Sequence, residues 1–235
     1  MEVANFRYLL RKLTRPKSIV MDGFLVHVPT SLPHGVRKAL YKETYELNER
    51  QLVRTALRPG DRVLELGSGI GVVSLLCARI VGPDNLLCYE ANPRMAEIIA
   101  SNFVVNGLEP KLINRAVSLR GGDVEFFRNE NIVSSSLSSA RGGEATNVPS
   151  DALNEVIERF RPTALVLDIE GAEVDLLTHA DLSGIEKIIM EVHPKVVGTQ
   201  ATRKLLDHLE AVGFAVIADG NNGEVVFFSK PAPTS

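Results

Sequence analysis

The chain has 235 residues, a formal net charge of −3 and an apolar fraction of 45%. This length suits one large α/β domain, and the slightly acidic balance gives no electrostatic reason to expect a nucleic-acid partner. No apolar run approaches the ~20 residues of a membrane span, and no signal peptide is visible at the start. We therefore expect a cytoplasmic protein in which Cys77 and Cys88 are reduced core residues.

Residues 1–50 are expected to form an N-terminal leader of helices and a short hairpin, interrupted by Pro29 and Pro33. The first stretch is basic, and one helical face would be apolar. We interpret this stretch as a surface helix that covers the site or packs on a partner, for example in a homodimer. A membrane-surface anchor is the alternative. The apolar residues of this face are Phe6, Leu9, Leu10 and Leu13.

Residues 51–235 are expected to form the main domain, in which strands and helices alternate after a helix from Asn48 to Leu57. Further helices are predicted at about 71–81, 93–106, 151–160, 172–179 and 201–212. The last two strands enclose a tight turn and should form an antiparallel hairpin. The predicted strands are Val63–Leu66, Leu86–Glu90, Lys111–Ala116, Ala164–Asp168, Lys187–Val192, Phe214–Ala218 and Glu224–Ser229.

This order predicts an α/β fold of the Rossmann-like kind, with a doubly wound, mostly parallel, seven-stranded sheet and an antiparallel C-terminal hairpin strand. One stretch interrupts the alternation. Val124–Arg128 is predicted as an extra strand, and the Ser- and Gly-rich residues Asn129–Ser150 as a loop. A loop of this length is either a mobile substrate loop or a surface variation, and both interpretations stay open.

The most informative run extends from Val63 to Gly71: a buried strand, an acid, and three glycines at alternate positions. Such a loop lets backbone N–H groups approach a nucleotide-type ligand at the end of the first strand. The spacing does not fit the dinucleotide pattern G-x-G-x-x-G. It resembles motif I of class I S-adenosylmethionine (SAM) methyltransferases. The loop residues expected at the ligand are Gly67, Ser68, Gly69 and Gly71.

Two acids at strand ends have different expected roles. Glu65 would orient the glycine loop or the amino group of the ligand, or it only braces the loop. Glu90 would accept hydrogen bonds from both ribose hydroxyls, because its distance along the chain from the loop is close to the ~20 residues expected. Ala91 and Asn92 follow it at the same edge, and Ala116 would lie near the adenine.

Polar residues end the fourth and fifth strands, which are otherwise apolar. Asp168 and Glu170 are expected on one face of the extended chain, and Glu191 and His193 share a face of the next strand. If the two strands are neighbours, these four groups converge beside the ligand. Glu173 lies in the first turn of the next helix, where the helix dipole alone would explain a carboxylate.

Together these motifs resemble the FkbM family of SAM-dependent methyltransferases, and the block Asp168–Glu173 is the most specific element. The resemblance implies SAM as cofactor, S-adenosylhomocysteine as product, and O-methylation of a small-molecule, sugar or carboxylate acceptor. It also implies that Tyr45 and Glu46 reach the cofactor from the leader.

The convergent acids and histidine are the predicted catalytic group. His193 is the preferred base for a hydroxyl acceptor because its unperturbed pKa lies near neutrality. Carboxylates near a sulfonium stabilise the ground state at least as much as the transition state, so Asp168 and Glu170 are expected to position ligand or acceptor. A role as ligands of a hard divalent metal is the alternative, and no metal is predicted.

Two other functions stay open. A nucleic-acid or protein methyltransferase is one, although base amino-methylation typically uses Asn/Asp-Pro-Pro-aromatic after strand four, where this chain has Asp168-Ile169-Glu170-Gly171. A non-catalytic SAM-binding module is the other, and the clustered polar groups argue against it. The expected partner is a small-molecule or glycan acceptor, with no nucleic acid.

Overall fold

The computed structural model describes residues 2–128, 144–220 and 223–231. In the leader, helix α1 (Glu2–Thr14) precedes a hairpin of β1 (Ser18–Met21) and β2 (Phe24–His27), and helix α2 (His34–Lys42) follows. Helix α3 (Leu47–Ala56) crosses the expected boundary at residue 50. The helices and the short hairpin expected in this region are present, and the division of the chain at residue 50 stays a prediction.

The rest of the chain alternates between strands and helices. The strands that follow the leader are β3 (Val63–Leu66), β4 (Leu86–Tyr89), β5 (Lys111–Ile113), β6 (Ala116–Ser118), β7 (Gly122–Arg128), β8 (Glu144–Ala152), β9 (Ala164–Leu167), β10 (Lys187–Glu191), β11 (Ala215–Asp219) and β12 (Val225–Ser229). The helices are α4 (Val72–Val81), α5 (Pro93–Val105), α6 (Leu153–Phe160), α7 (Glu173–His179), α8 (Pro194–Val197) and α9 (Thr199–Ala211).

Seven strands form the main sheet in the order β11-β12-β10-β9-β3-β4-β5. Strands β5, β4, β3, β9 and β10 are parallel, whereas β12 pairs antiparallel with both β10 and β11. The doubly wound, mostly parallel sheet and its antiparallel C-terminal hairpin are therefore confirmed. The carboxyl ends of β3, β4, β9 and β10 meet at one edge, which is where ligands of such sheets bind.

Side chains of the central strands alternate between two apolar cores, one on each face of the sheet. Val63 and Val166 face the core that holds α3, α4, α5 and the leader hairpin. Leu64 and Leu165 face the core that holds α6, α7 and α9. Because both faces are covered, the strand ends are held rigidly, and their loops start from fixed positions.

The predicted strand Lys111–Ala116 is wrong in one respect, because the structure divides it in two. The chain turns at Asn114 and Arg115, where the Arg115 N–H donates to the Ile113 carbonyl over 3.0 Å. Strand β6 then leaves the main sheet and pairs with β8 in a separate sheet of order β6-β8-β7. Local periodicity does not distinguish one bent strand from two strands that join different sheets.

The stretch predicted as the loop Asn129–Ser150 is also corrected in part. Residues 144–150 belong to β8, which pairs antiparallel with β7 along its length. The extra strand predicted at Val124–Arg128 is confirmed as part of β7. Residues 129–143 lie outside the described residues, so both interpretations of that part stay predictions. Helix α6 starts two residues later than predicted because β8 extends to Ala152.

Helix α1 packs on the leader through the side opposite its apolar face. Tyr8 packs against the main core, and Arg11 forms an ion pair with Glu43 over 2.8 Å. The predicted apolar face points to solvent, with Phe6 67% and Leu13 82% exposed. In the parts of the chain that the structure describes, no helix has the length and apolar character needed to traverse a bilayer.

Candidate functional site

The glycine loop joins β3 to α4 and lies against the end of β9. Gly67, Gly69 and Gly71 all have positive φ, at 79°, 54° and 83°. A Cβ atom on Gly67 would lie 1.9 Å from the backbone oxygen of Asp168, so no other residue fits at this position without a backbone shift. The loop expected to hold the ligand therefore contacts the strand end that carries the second predicted motif.

Glu65 braces this loop from below. Its side chain is buried, and its Oε2 accepts hydrogen bonds from the hydroxyls of Ser68 and Ser74, at 3.0 and 2.5 Å. Burial raises the pKa of Glu65, and the serine hydroxyls act against that rise. Of its two expected roles, the contacts described here are those of loop bracing.

Glu90 lies at the end of β4, beside the glycine loop. Its Oε1 accepts a hydrogen bond from the Asn92 N–H over 2.7 Å. Burial raises the pKa of Glu90 to about 7, while backbone N–H groups of Asn92, Gly69 and Ser68 act against the rise. A buried carboxylate at this edge can accept the two hydroxyl donors of a ribose. Its ionisation close to neutral pH makes that capacity dependent on pH.

The residues predicted around Glu90 have clear local roles. Asn92 caps α5, and its side-chain oxygen accepts from the Arg94 N–H over 3.1 Å. Ala91 packs with Ala116 in a small apolar cluster. Ala116 is buried just beyond the turn that ends β5, so it lies at the sheet edge expected for the adenine.

Tyr45 and Glu46 reach the glycine loop from the leader, and their expected contact with the cofactor stays a prediction. A Cβ atom placed on Gly69 would lie 2.9 Å from the Tyr45 hydroxyl and 2.8 Å from Glu46 Oε1. Burial, followed by the charge of Glu46, raises the pKa of Tyr45 well above its usual value. Glu46 itself has a left-handed φ of 47°, a strained conformation for a non-glycine residue.

Arg50 fastens this part of the leader to α3. Its side chain is only 2% exposed, and its guanidinium donates to the carbonyls of Tyr45 and Glu43 over 2.9 and 2.7 Å. It also forms an ion pair with Asp22 in the β1–β2 turn. A buried arginine with these partners fixes the backbone that presents Tyr45 and Glu46.

The four predicted polar groups at the ends of β9 and β10 do converge, around His193. Its Nε2 lies 3.5 Å from Asp168 Oδ1, 3.3 Å from Glu170 Oε2 and 3.9 Å from Glu191 Oε2. Burial raises the pKa of Asp168 well above its usual value, with the charges of Glu191 and Glu170 adding to the rise. Burial also raises the pKa of Glu191, to about 7.

Asp168 and Glu170 converge on His193, but not for the expected reason. Strand β9 ends at Leu167, so Asp168 and Glu170 are not on one face of an extended strand. Glu170 has a left-handed φ of 55°, and this turn, followed by Gly171, brings its carboxylate back to His193. A strained residue in a cluster of charged groups is typical of functional sites.

Glu173 is the residue whose importance the sequence analysis missed. It is fully buried, and its Oε1 accepts from the His193 N–H over 3.1 Å and lies 3.2 Å from His193 Nδ1. Burial alone would lower the pKa of His193, but the hydrogen bond and charge of Glu173, with Glu170 and Glu191 behind it, raise it overall. Glu173 therefore holds the histidine ring with Nε2 directed at the other acids.

These groups open into a cavity of about 740 Å³ between the leader and the strand ends. Glu49 is a second missed residue: it lies in the first turn of α3, three residues after Glu46, which precedes the helix, and both line the cavity. No lysine or arginine is among the described residues that line the cavity. The ionisable side chains in its wall are Tyr45, Glu46, Glu49, Asp168, Glu170 and Glu191.

The fold of the chain is similar to the folds of known structures. A methyltransferase from Pyrococcus furiosus superposes with a TM-score of 0.51 and 14% identity, over 99% of this chain and 100% of that one. The chain has the class I methyltransferase fold. A candidate rRNA methylase from Clostridium thermocellum gives a TM-score of 0.50 and 14% identity, over 78% of this chain and 93% of that one.

Sequence similarity to curated proteins is confined to a short segment. A protein-lysine N-methyltransferase from Chaetomium thermophilum is 35% identical over 57 residues, which is 24% of this chain and 17% of that protein. None of the known family models matches the chain.

Proposed function

We propose that this protein is a SAM-dependent methyltransferase that transfers a methyl group to a hydroxyl oxygen of a small-molecule or sugar acceptor. The observation that carries the proposal is the contact between the glycine loop and the acid cluster at Gly67 and Asp168. This contact supports a nucleotide-type ligand site next to a group of proton acceptors, at the edge where ligands of this fold bind.

The residues of the loop side fit SAM. Glu90 would accept from the ribose hydroxyls, and the backbone of the Gly67–Gly71 loop would lie against the ligand because its glycines leave no side chain in the way. Tyr45 and Glu46 would cover the ligand from the leader. When bound, SAM supplies an electrophilic methyl group on a positively charged sulfur.

The cavity side would align and deprotonate the acceptor. The acceptor oxygen forms a bond to the methyl carbon as the bond from that carbon to sulfur breaks, and the hydroxyl proton passes to the His193–Glu191 pair. Asp168 and Glu170 would hold the acceptor in line, which supplies most of the rate gain. The acidic lining favours a neutral hydroxyl acceptor over a carboxylate, and it also disfavours a phosphate-rich nucleic acid.

The finer resemblance to the FkbM family stays part of this proposal. It rests on the block Asp168–Glu173, in which three of the acids contact His193. Oxygen acceptors are what that resemblance implies.

A second candidate is methyl transfer to an amine. The specific observation that favours it is the cavity wall, where five carboxylates face the space and a cationic amine would be attracted. The partial relative from Chaetomium thermophilum is a protein-lysine N-methyltransferase, which supports the same chemistry.

Isothermal titration with SAM and with S-adenosylhomocysteine tests the donor half of the proposal. We expect both to bind the wild-type protein and neither to bind Glu90→Ala, whereas Glu97→Gln, on the exposed side of α5, binds normally. Absence of binding to the folded wild-type protein would disprove the proposal. A mass-shift screen then separates the acceptors: methylation of hydroxyl compounds supports the first candidate, methylation of amines the second, and none at all a non-catalytic module.

A further inference from the structure

We propose that Asp168, Glu170 and His193 bind one divalent cation at the floor of the cavity, and that Glu173 holds the histidine as a ligand for it. The part of this inference that concerns catalysis rests on the proposed function. The cation site itself is independent of SAM and can be tested with the metal alone.

The geometry of the three side chains fits one ion. One ligand atom from each of Asp168, Glu170 and His193 lies within 4.8 Å of the other two. A metal with ligand distances of about 2.0–2.3 Å holds its ligand atoms at most about 4–5 Å apart, so a single central ion reaches all three.

The histidine is prepared to act as a ligand. Its side chain is 7% exposed, and the buried Glu173 carboxylate lies 3.2 Å from Nδ1. With the Nδ1 proton donated to Glu173, the lone pair of Nε2 is directed at Asp168 and Glu170. A carboxylate behind a histidine in this way fixes the tautomer and raises the basicity of metal-binding imidazoles.

The charges around Nε2 also call for a cation. Asp168 Oδ1 is buried, and no hydrogen-bond donor among the described residues reaches it. Glu191 adds a further carboxylate 3.9 Å from Nε2. Carboxylates gathered around one imidazole nitrogen repel one another, and an ion at the centre converts this repulsion into coordination.

The donor set indicates the kind of ion. Two carboxylates and one imidazole combine the ligands preferred by Mg²⁺ and Mn²⁺ with one preferred by later transition metals, and Mn²⁺ suits both. Three protein ligands leave coordination positions open toward the cavity. A hydroxyl oxygen of the acceptor can occupy one of them, which lowers the pKa of that hydroxyl. His193, as a ligand, would no longer serve as the base, so the hydroxyl proton would pass to Glu191 alone, which lines the cavity outside the triad.

The experiment titrates the full-length, chelator-treated protein with Mn²⁺ and reads the free ion by electron paramagnetic resonance. We expect one ion per chain. Glu173→Gln should weaken binding by about 10–100-fold because the histidine loses its supporting carboxylate. Asp168→Asn should weaken it at least as much. Thermal melts check that each variant folds, and Glu170→Gln replaces Asp168→Asn if that variant does not.

Glu49→Gln is the matched control, because it removes one charge from the same cavity but lies outside the triad. Its affinity for Mn²⁺ should fall by less than about tenfold. The cation site is overturned if folded wild-type protein binds no Mn²⁺ at millimolar concentration. It is also overturned if Glu49→Gln loses as much affinity as Asp168→Asn, because cations would then only accumulate diffusely.

A separate SAM titration of the same preparation distinguishes the two proposals. SAM binding without Mn²⁺ binding removes the cation site and leaves the proposed function intact. Mn²⁺ binding without SAM binding removes the proposed function and leaves the cation site intact.

Discussion

The two sides of the site treat their carboxylates in opposite ways. On the glycine-loop side, Glu65 accepts hydrogen bonds from Ser68 and Ser74, and Glu90 accepts one from the backbone of Asn92. On the cavity side, carboxylates face one another, and buried oxygens of Glu46 and Asp168 have no hydrogen-bond donor among the described residues.

The carboxylates on the glycine-loop side already have hydrogen-bond donors from the protein, whereas those on the cavity side are arranged to interact with a ligand. A buried carboxylate with hydrogen-bond donors stabilises its surroundings, whereas crowded carboxylates cost folding free energy until a cation or an acceptor arrives. Neutralising an acid should therefore have opposite effects on the two sides.

Gly67→Ala should cause the largest loss, about 3–5 kcal/mol of unfolding free energy, because its Cβ would collide with the Asp168 carbonyl at a positive φ. Chemical denaturation measures this loss. Gly60→Ala is the control, since it has φ +98° but open space around the added atom. It should lose only about 1–2 kcal/mol. Equal losses in both variants would mean that the contact between the two sides is not tight.

Glu90→Gln should weaken SAM binding by about 1.5–3 kcal/mol, because the ribose hydroxyls lose a charged acceptor. The wild-type affinity should be constant well above pH 7 and fall below it, since the pKa of Glu90 is raised to about 7 and only the ionised form accepts both hydroxyls. Isothermal titration on either side of pH 7 measures both effects. If the affinity of Glu90→Gln for SAM falls with decreasing pH as much as that of the wild type, the pH dependence belongs to another group.

Ser74→Ala should cost about 1–2 kcal/mol of stability, because Glu65 is buried and loses one of its donors. Denaturant unfolding measures the loss. Ser101→Ala is the control: its hydroxyl donates to the Glu97 carbonyl on the exposed face of α5, so its removal should change stability by less than about 0.5 kcal/mol. A neutral effect of Ser74→Ala would contradict the bracing role of Glu65.

Glu49→Gln should stabilise the ligand-free protein by about 0.5–1 kcal/mol at neutral pH. Burial raises the pKa of Glu49, so the folded state disfavours its charge. A raised carboxyl pKa costs stability above the unfolded value of 4.5, and the cost disappears as the pH falls below that value. The gain should therefore vanish in acid, as measured by thermal melts at both pH values. If Glu49→Gln instead destabilises the protein at neutral pH, the carboxylates on the cavity side do not cost folding free energy.

Much of the fold could be predicted because its signals are local. The glycine run and the apolar strands determine where elements begin and end, and the order of elements restricts the topology. The predicted strand Lys111–Ala116 failed because the chain turns after Ile113, and Ala116 belongs to β6, which pairs with the distant strand β8. Strand β8 itself lay in a polar stretch without an apolar alternation, so its pairing with β7 left no periodic signal.

The site residues at strand ends could be predicted from the sequence, whereas the site residues on helices could not. Asp168, Glu170, Glu191 and His193 follow apolar strands, so their convergence could be expected from the topology. Whether Glu173 faces solvent or the histidine depends on how α7 packs, which the sequence does not show. The helix dipole alone was enough to explain a carboxylate in the first turn, so nothing pointed to a contact with His193. The cytoplasmic location and the homodimer stay predictions.

Arg50 has a consequence for how the specificity of such a protein can change. The floor of the cavity comes from strand ends, whereas its roof comes from residues 33–49, fastened through the buried guanidinium to the Tyr45 and Glu43 carbonyls. The roof segment can therefore change in sequence while the strand ends below it stay the same. Exchanging it between relatives while keeping Tyr45, Glu46, Arg50 and Asp22 would give new acceptor preferences on an unchanged donor site.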